Sequence, residues 1–180
     1  MATDTSESVS TITFAQVIRQ ARYHDEEALV ALYQRALLAF RETGDPWGSA
    51  RSLTDLGSID GEQGDYSAAH AAYREALEIF AGLGHRRGMA RALEGSACLS
   101  VAQGHAARAL TLVAAAANLR RQISAPLPQA EQFKLDRRLL YAWKSLTETE
   151  GKDAWTAGSA MSLEEAVQYS LEKPSSTTSR

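Results

Sequence analysis

Four histidines, a single cysteine and a scatter of arginines and carboxylates are the side chains in this 180-residue chain that could do chemistry. His24, His70, His85 and His105 fall in different turns and helices. No two of them share a helix face at i, i+4, the spacing a zinc ion would need, so no metal is expected. His24, His85 and His105 stand at helix starts, where an imidazole meets solvent. Cys98 sits among Ala97, Leu99 and Val101 without a neighbouring histidine to make it a thiolate, so it reads as a small hydrophobe. Lacking a second cysteine, the chain forms no internal disulfide.

The carboxylates are placed for helices rather than for acid–base work. Asp25, Glu26 and Glu27 open a helix, where the macrodipole favours negative charge, and Glu148, Glu150 and Asp153 flank an expected helix break. No G-x-S-x-G elbow and no G-x-x-x-x-G-K-[ST] phosphate loop is present. Trp47, Trp143 and Trp155 are expected to pack between helices rather than to cage a ligand. No catalytic residue and no cofactor is predicted, and the function expected is binding.

The formal net charge of −3 argues against general affinity for phosphate backbones. Arg86, Arg87 and Arg91 form a local basic cluster, read as solvated charges at a helix start. Met1–Ser10 has neither a positive region nor an apolar core, so it is no secretory signal, and no apolar run is long enough to span a bilayer. A cytoplasmic protein is expected, with a polar leader over 1–10, a repeat domain over 11–172 and a Ser/Thr-rich tail over 173–180.

An internal repeat supplies the elements that position these residues. QRALLAFRETGDPWGSA, residues 34–50, aligns with REALEIFAGLGHRRGMA, residues 74–90. Ala36, Leu37, Phe40, Gly44, Gly48 and Ala50 find the same residue type forty positions on, and so do Tyr33, Leu53, Gly64 and Ala69. Leu53, Leu56 and Ile59 recur at three-residue spacing with Gly57 between them, one face of a helix. Gly64 then ends that helix and Asp65 caps the next, whose stripe is Ala69, Tyr73, Ala76, Leu77 and Phe80. A lone hairpin cannot bury such a stripe, so units must stack. An imperfect first unit covers Thr13–Thr43, a second Asp45–Leu83 and a third His85–Ile123.

Leu127–Leu171 departs from this pattern. Ser124-Ala125-Pro126-Leu127-Pro128 breaks the chain, Phe133, Leu135, Leu139, Leu140 and Trp143 mark the apolar face of a helix over 130–146, and a short helix lies near 152–157. Ser162 and Glu165 form a capping box before a last helix. The fold class predicted is all-α, a solenoid of antiparallel helical hairpins closed by irregular helices.

The second unit, with Leu56-Gly57, Gly64, Tyr66, Ala69, Tyr73 and Ala76-Leu77, resembles a tetratricopeptide repeat. It departs from that pattern in having Leu53 where an aromatic is usual, in lacking the proline after its second helix, and in its longer period. ALEGSACLSVAQGHAARAL, the ISAPLP break and AMSLEEAVQYSL are similar to the C-terminal repeat region of bacterial transcriptional regulators of the LuxR type that carry an ATPase module. The resemblance implies a role in signalling or transcriptional control and a sensing function for the repeats. It does not bring the ATPase, for want of a phosphate loop. The Met1 start favours a stand-alone relative.

In such solenoids the first helix of each pair lines the concave face. The second unit would present Arg51, Thr54, Asp55, Ser58 and Glu62 there, and the third Arg91, Glu94 and Cys98. Arg51 and Arg91 occupy equivalent positions and suit capture of a carboxylate, unless each is spent on an acid of its own helix, Arg51 on Asp55 and Arg91 on Glu94. The partner expected is a protein or peptide. A small-molecule ligand and self-assembly through apolar stack ends are the alternatives, and neither nucleic acid nor membrane is expected.

Overall fold

The computed structural model describes residues 26–172. The leader 1–10, most of the expected first helix of the first unit with His24 and Asp25, and the tail 173–180 lie outside them. Eight helices and no strand occur among the described residues: α1 (Glu26–Glu42), α2 (Pro46–Gln63), α3 (Tyr66–Gly82), α4 (Arg86–Ala102), α5 (Ala106–Gln122), α6 (Gln129–Ser145), α7 (Glu148–Ala160) and α8 (Leu163–Leu171). None of them is long and apolar enough to cross a membrane. The chain is the tetratricopeptide-like α-solenoid that the repeat predicts.

One turn, used at a spacing of twenty residues, builds the regular part. Gly44, Gly64, Gly84 and Gly104 all take positive φ, and Ser124 takes the same left-handed conformation at φ 51°. After each, a backbone N–H reaches back five residues: Asp45 to Phe40, Asp65 to Asp60, His85 to Phe80, His105 to Ser100 and Ala125 to Arg120, all at 2.8–3.0 Å. This six-to-one bond satisfies a carbonyl that the helix end would leave orphaned. Asp45 and Asp65 then cap α2 and α3 through their carboxylates, and His85 caps α4 by accepting from the Gly88 N–H at 3.0 Å. The expectation of a solvated turn histidine is corrected there, because the ring nitrogen ties down the helix start.

The aligned residue pairs have a packing reason. A Cβ on Gly48 would lie 2.4 Å from the ring of Phe40, and one on Gly88 would lie 2.5 Å from that of Phe80. Each phenylalanine thus closes onto a bare stretch of the following helix. Ala50, Ala90, Leu77 and Leu93 have no exposure and form the continuous core between units.

The closing segment wraps the third unit. α6 packs on α4 and α5 through Leu139 and Ala142, both buried, with Leu135 and Leu146 half-buried. Phe133 and Leu140 do not belong to that face: they stay 62% and 50% exposed, which corrects the apolar stripe read along this helix. α7 is longer than expected. Glu148 and Glu150 lie in its first turn rather than beside a break, and Thr147 and Glu150 form its capping box. α7 runs so close to α5 that a Cβ on Gly158 would sit 2.0 Å from the Thr111 carbonyl oxygen. Trp143 and Trp155 pack together with ring centres 5.8 Å apart. α8 returns over α3, α4 and α5, its end held by Arg108, which donates to the carbonyls of Tyr169, Ser170 and Glu172, and by Arg74, which donates to that of Leu171. Cations at a helix C-terminus complement its dipole.

Candidate functional site

A groove runs lengthwise between α2 and α4, the first helices of the second and third units, and α6 forms its third wall. Three connected hollows make it up. Near the helix starts, a hollow of about 330 Å³ is bounded by Trp47, His85, Arg51 and Arg87. The middle hollow, about 590 Å³, holds six cations, Arg51, Arg87, Arg91, Arg120, Lys134 and Arg138, against the carboxylates of Glu94 and Glu131. Toward the helix ends, about 380 Å³ is lined by Tyr66, Tyr73, Leu99 and Val101. Arg51, Arg87 and Arg91 border both the first hollow and the middle one, and Ser58, Gly95, Cys98 and Arg138 join the middle one to the third.

Glycines let the floor form. Tyr73 reaches up from α3 between the two helices, and a Cβ on Gly95 would stand 2.4 Å from its ring, one on Gly57 3.1 Å. Any larger residue at 95 would push the tyrosine out or the helices apart.

Ion pairs cross the groove between elements. Arg91 binds Asp55 across the two units, and Arg138 reaches from α6 to Glu62 at the far end of α2. Arg120 of α5 pairs with Glu94 in nearly full burial, its Nη2 donating to Oε2 at 2.8 Å while Nη1 donates to the Ala125 carbonyl at 3.2 Å. Burial raises the Asp55 carboxyl above its usual value, and the Arg91 and Arg51 guanidiniums pull it part of the way back. Burial likewise pushes up the Cys98 thiol, with Arg138 offsetting part of the shift, so the thiol is a poor nucleophile at neutral pH.

Seven of the eight groove residues read from sequence border this channel or pair across it: Arg51, Asp55, Ser58, Glu62, Arg91, Glu94 and Cys98. Thr54 does not. It is buried, its hydroxyl donating to the Ala50 carbonyl at 2.8 Å, because a helix flanked by neighbours on both sides buries most of its circumference. Glu94 reaches the groove only as part of its floor, neutralised by Arg120. The intrahelical pairing considered for Arg91 is also corrected, since its acid comes from the neighbouring repeat. Arg87 and Arg91 are not merely solvated charges at a helix start, for both face the groove, whereas Arg86 points away to Gln122. Lys134, Arg138 and Arg120 were not read from the sequence. The spacing of 87, 91, 94 and 98 along one helix face could have found Arg87, but nothing local shows that α5 and α6 bring cations to the same place.

No cluster of three metal-ligating side chains occurs among the described residues. The fold is a repeat scaffold whose stacked units form an extended surface. Residues 22–82 match the family model of the tetratricopeptide repeat, which supports a tetratricopeptide-repeat protein and, in general terms, a scaffold for protein–protein contact. No curated protein and no solved structure matches the chain.

Proposed function

We propose that the chain is a non-catalytic interaction module that holds a partner protein or peptide in the groove between α2 and α4. The observation that carries this reading is the groove itself: a continuous, three-walled channel of the size that buries ligands, formed by the helices that a repeat scaffold devotes to contact. Arg51, Asp55, Ser58, Glu62, Arg91 and Cys98 are its proposed contacts. The similarity of 92–110, 123–128 and 160–171 to the repeat region of bacterial regulators supports a cytoplasmic role in signalling or transcriptional control.

Selection of a random-peptide library on the full chain tests this. Enriched peptides should bind the native protein and lose binding to Ala102→Trp, which plugs the exposed mouth of the third hollow. No enrichment, or equal binding to the plugged variant, would refute the groove as the site.

Self-assembly is a second reading, favoured by the exposed side chains Phe133, Leu140, Tyr141 and Trp143 on α6. Light scattering that shows a monomer at high concentration would remove it.

A further inference from the structure

The order of chemistry along the groove says what kind of segment it fits. The middle hollow carries six cations, and even with Asp55 and Glu62 added to Glu94 and Glu131 the carboxylates number only four. This stands out in a chain of net charge −3. Three of the cations are already committed, Arg91 to Asp55, Arg120 to Glu94 and Arg138 to Glu62. Arg87 and Lys134 are exposed on opposite walls, from α4 and α6, and have no ion-pair partner among the described residues. A cleft with an excess of one sign of charge concentrates ligands of the other. The hollow next to it, toward the helix ends, is instead lined by Tyr66, Tyr73, Leu99 and Val101.

The groove also has a length. Fourteen residue steps separate Trp47 from Gly61 along α2, about 21 Å at the helical rise per residue. That accommodates roughly six residues of extended chain.

We infer that the groove binds an extended segment of a partner protein with an acidic centre, its carboxylates between Arg87 and Lys134, and one apolar side chain beside it in the Tyr66–Leu99 hollow. This rests on the interaction-module reading and adds to it the composition and register of the partner. Charge complementarity sets the encounter rate and the register, and the apolar anchor adds affinity.

Fluorescence anisotropy on the full chain decides the matter, with end-blocked, fluorescein-labelled hexapeptides as probes. Acetyl-Leu-Asp-Glu-Asp-Glu-Ala-amide and its reversed sequence cover both chain directions. One of them should bind, and more weakly as salt rises. The Asn/Gln analogue, and the Arg87→Ala/Lys134→Ala variant with the acidic probe, should each bind about tenfold more weakly. Replacing the leucine by alanine should also weaken binding about tenfold. Both substituted residues are exposed, so the fold is not at stake.

Several results would overturn the inference: no binding by either acidic probe, equal binding of the neutral analogue, indifference to the double variant or to loss of the leucine, or tighter binding of a labelled single-stranded RNA of matched length. The two readings fail separately. Neutral peptides that bind and are blocked by Ala102→Trp would leave the interaction groove standing and remove its acidic partner. Failure of every library peptide would remove the groove as well.

Discussion

Glu94 separates a groove contact from a structural one, and the two roles predict different losses. The side chains of Glu94 and Arg120 are 11% and 8% exposed, with two donor nitrogens of the guanidinium on the two carboxylate oxygens. Glu94→Gln keeps the shape and removes the charge, leaving the Arg120 cation buried without a counterion. Breaking a buried pair from one side costs about 3–5 kcal/mol. For a chain of this size that lowers the melting temperature by roughly 6–20 °C, a large part of the ~5–15 kcal/mol a domain has in hand. Removing both charges with Glu94→Leu/Arg120→Met should recover most of the loss, because no ion is left desolvated. Recovery stops short by ~1 kcal/mol, since Arg120 also donates to the Ala125 carbonyl. Thermal unfolding followed by circular dichroism, run as a double-mutant cycle, measures each step. A Glu94→Gln melting temperature within ~1 °C of the native one would refute the buried-pair account and return Glu94 to the groove as a free acceptor.

Ser124→Gly should stabilise the chain by roughly 0.5–1 kcal/mol, because Ser124 occupies the left-handed position that glycine holds in the four earlier turns; chemical denaturation would show it, and a loss would mean that the serine side chain has a role of its own. Gly158→Ala should detach α7, since the added methyl would meet the Thr111 carbonyl at 2.0 Å; hydrogen exchange should then rise over residues 148–160, and unchanged protection there would refute the close approach. Hydrogen bonds from Thr147 and Ser162 lower the pKa of Glu150 and Glu165 below 4.5. Ionised in the fold and less so when unfolded, the two carboxylates contribute stability that is present above pH 4.5 and lost as pH falls through their folded values. Amide protection factors in α7 and α8 should therefore fall on acidification ahead of those in α2–α5, and Glu150→Gln, which removes the titrating group while the Thr147 backbone N–H stays, should erase the difference for α7.

The regular part of the fold was legible because its information is local. Phe40 and Gly48, or Phe80 and Gly88, are partners in one contact, and their joint repetition at forty residues shows helices, turns and stacking order together. The groove was legible only in part. A helix-face argument brings Arg51 and Arg91 to the edge of the groove, since both follow from the register of the Leu53 and Leu93 stripe. It fails for Thr54, because a polar side chain on a helix wedged between neighbours has no outward face to take, and it is buried with a bond to its own turn; Glu94 does line the groove, but in its floor and bound to a distant cation. Arg120, Lys134 and Arg138 were out of reach for the opposite reason, as their place depends on how α5 and α6 meet α2 and α4.

That meeting depends on a lapse in the repeat. Helices start at 46, 66, 86 and 106, so the next is due at 126, yet α6 begins at 129. Pro126 and Pro128 account for the delay, because a residue before proline is pushed out of the helical region and proline itself offers no N–H to the helix. Three residues at about 100° each turn the helix face by most of a revolution and carry its start away from the stack. A fourth unit in register would extend the solenoid and leave the α2–α4 channel with two walls. The displaced α6 instead lies along the channel, where Arg138 spans to Glu62 on α2 and Lys134 faces the cations of α4. The same displacement leaves Phe133 and Leu140 exposed among the described residues. The irregular segment is therefore what turns a repeat surface into a bounded site with a charge of its own, and the binding register should depend more on α6 than on the units whose repetition defines the fold.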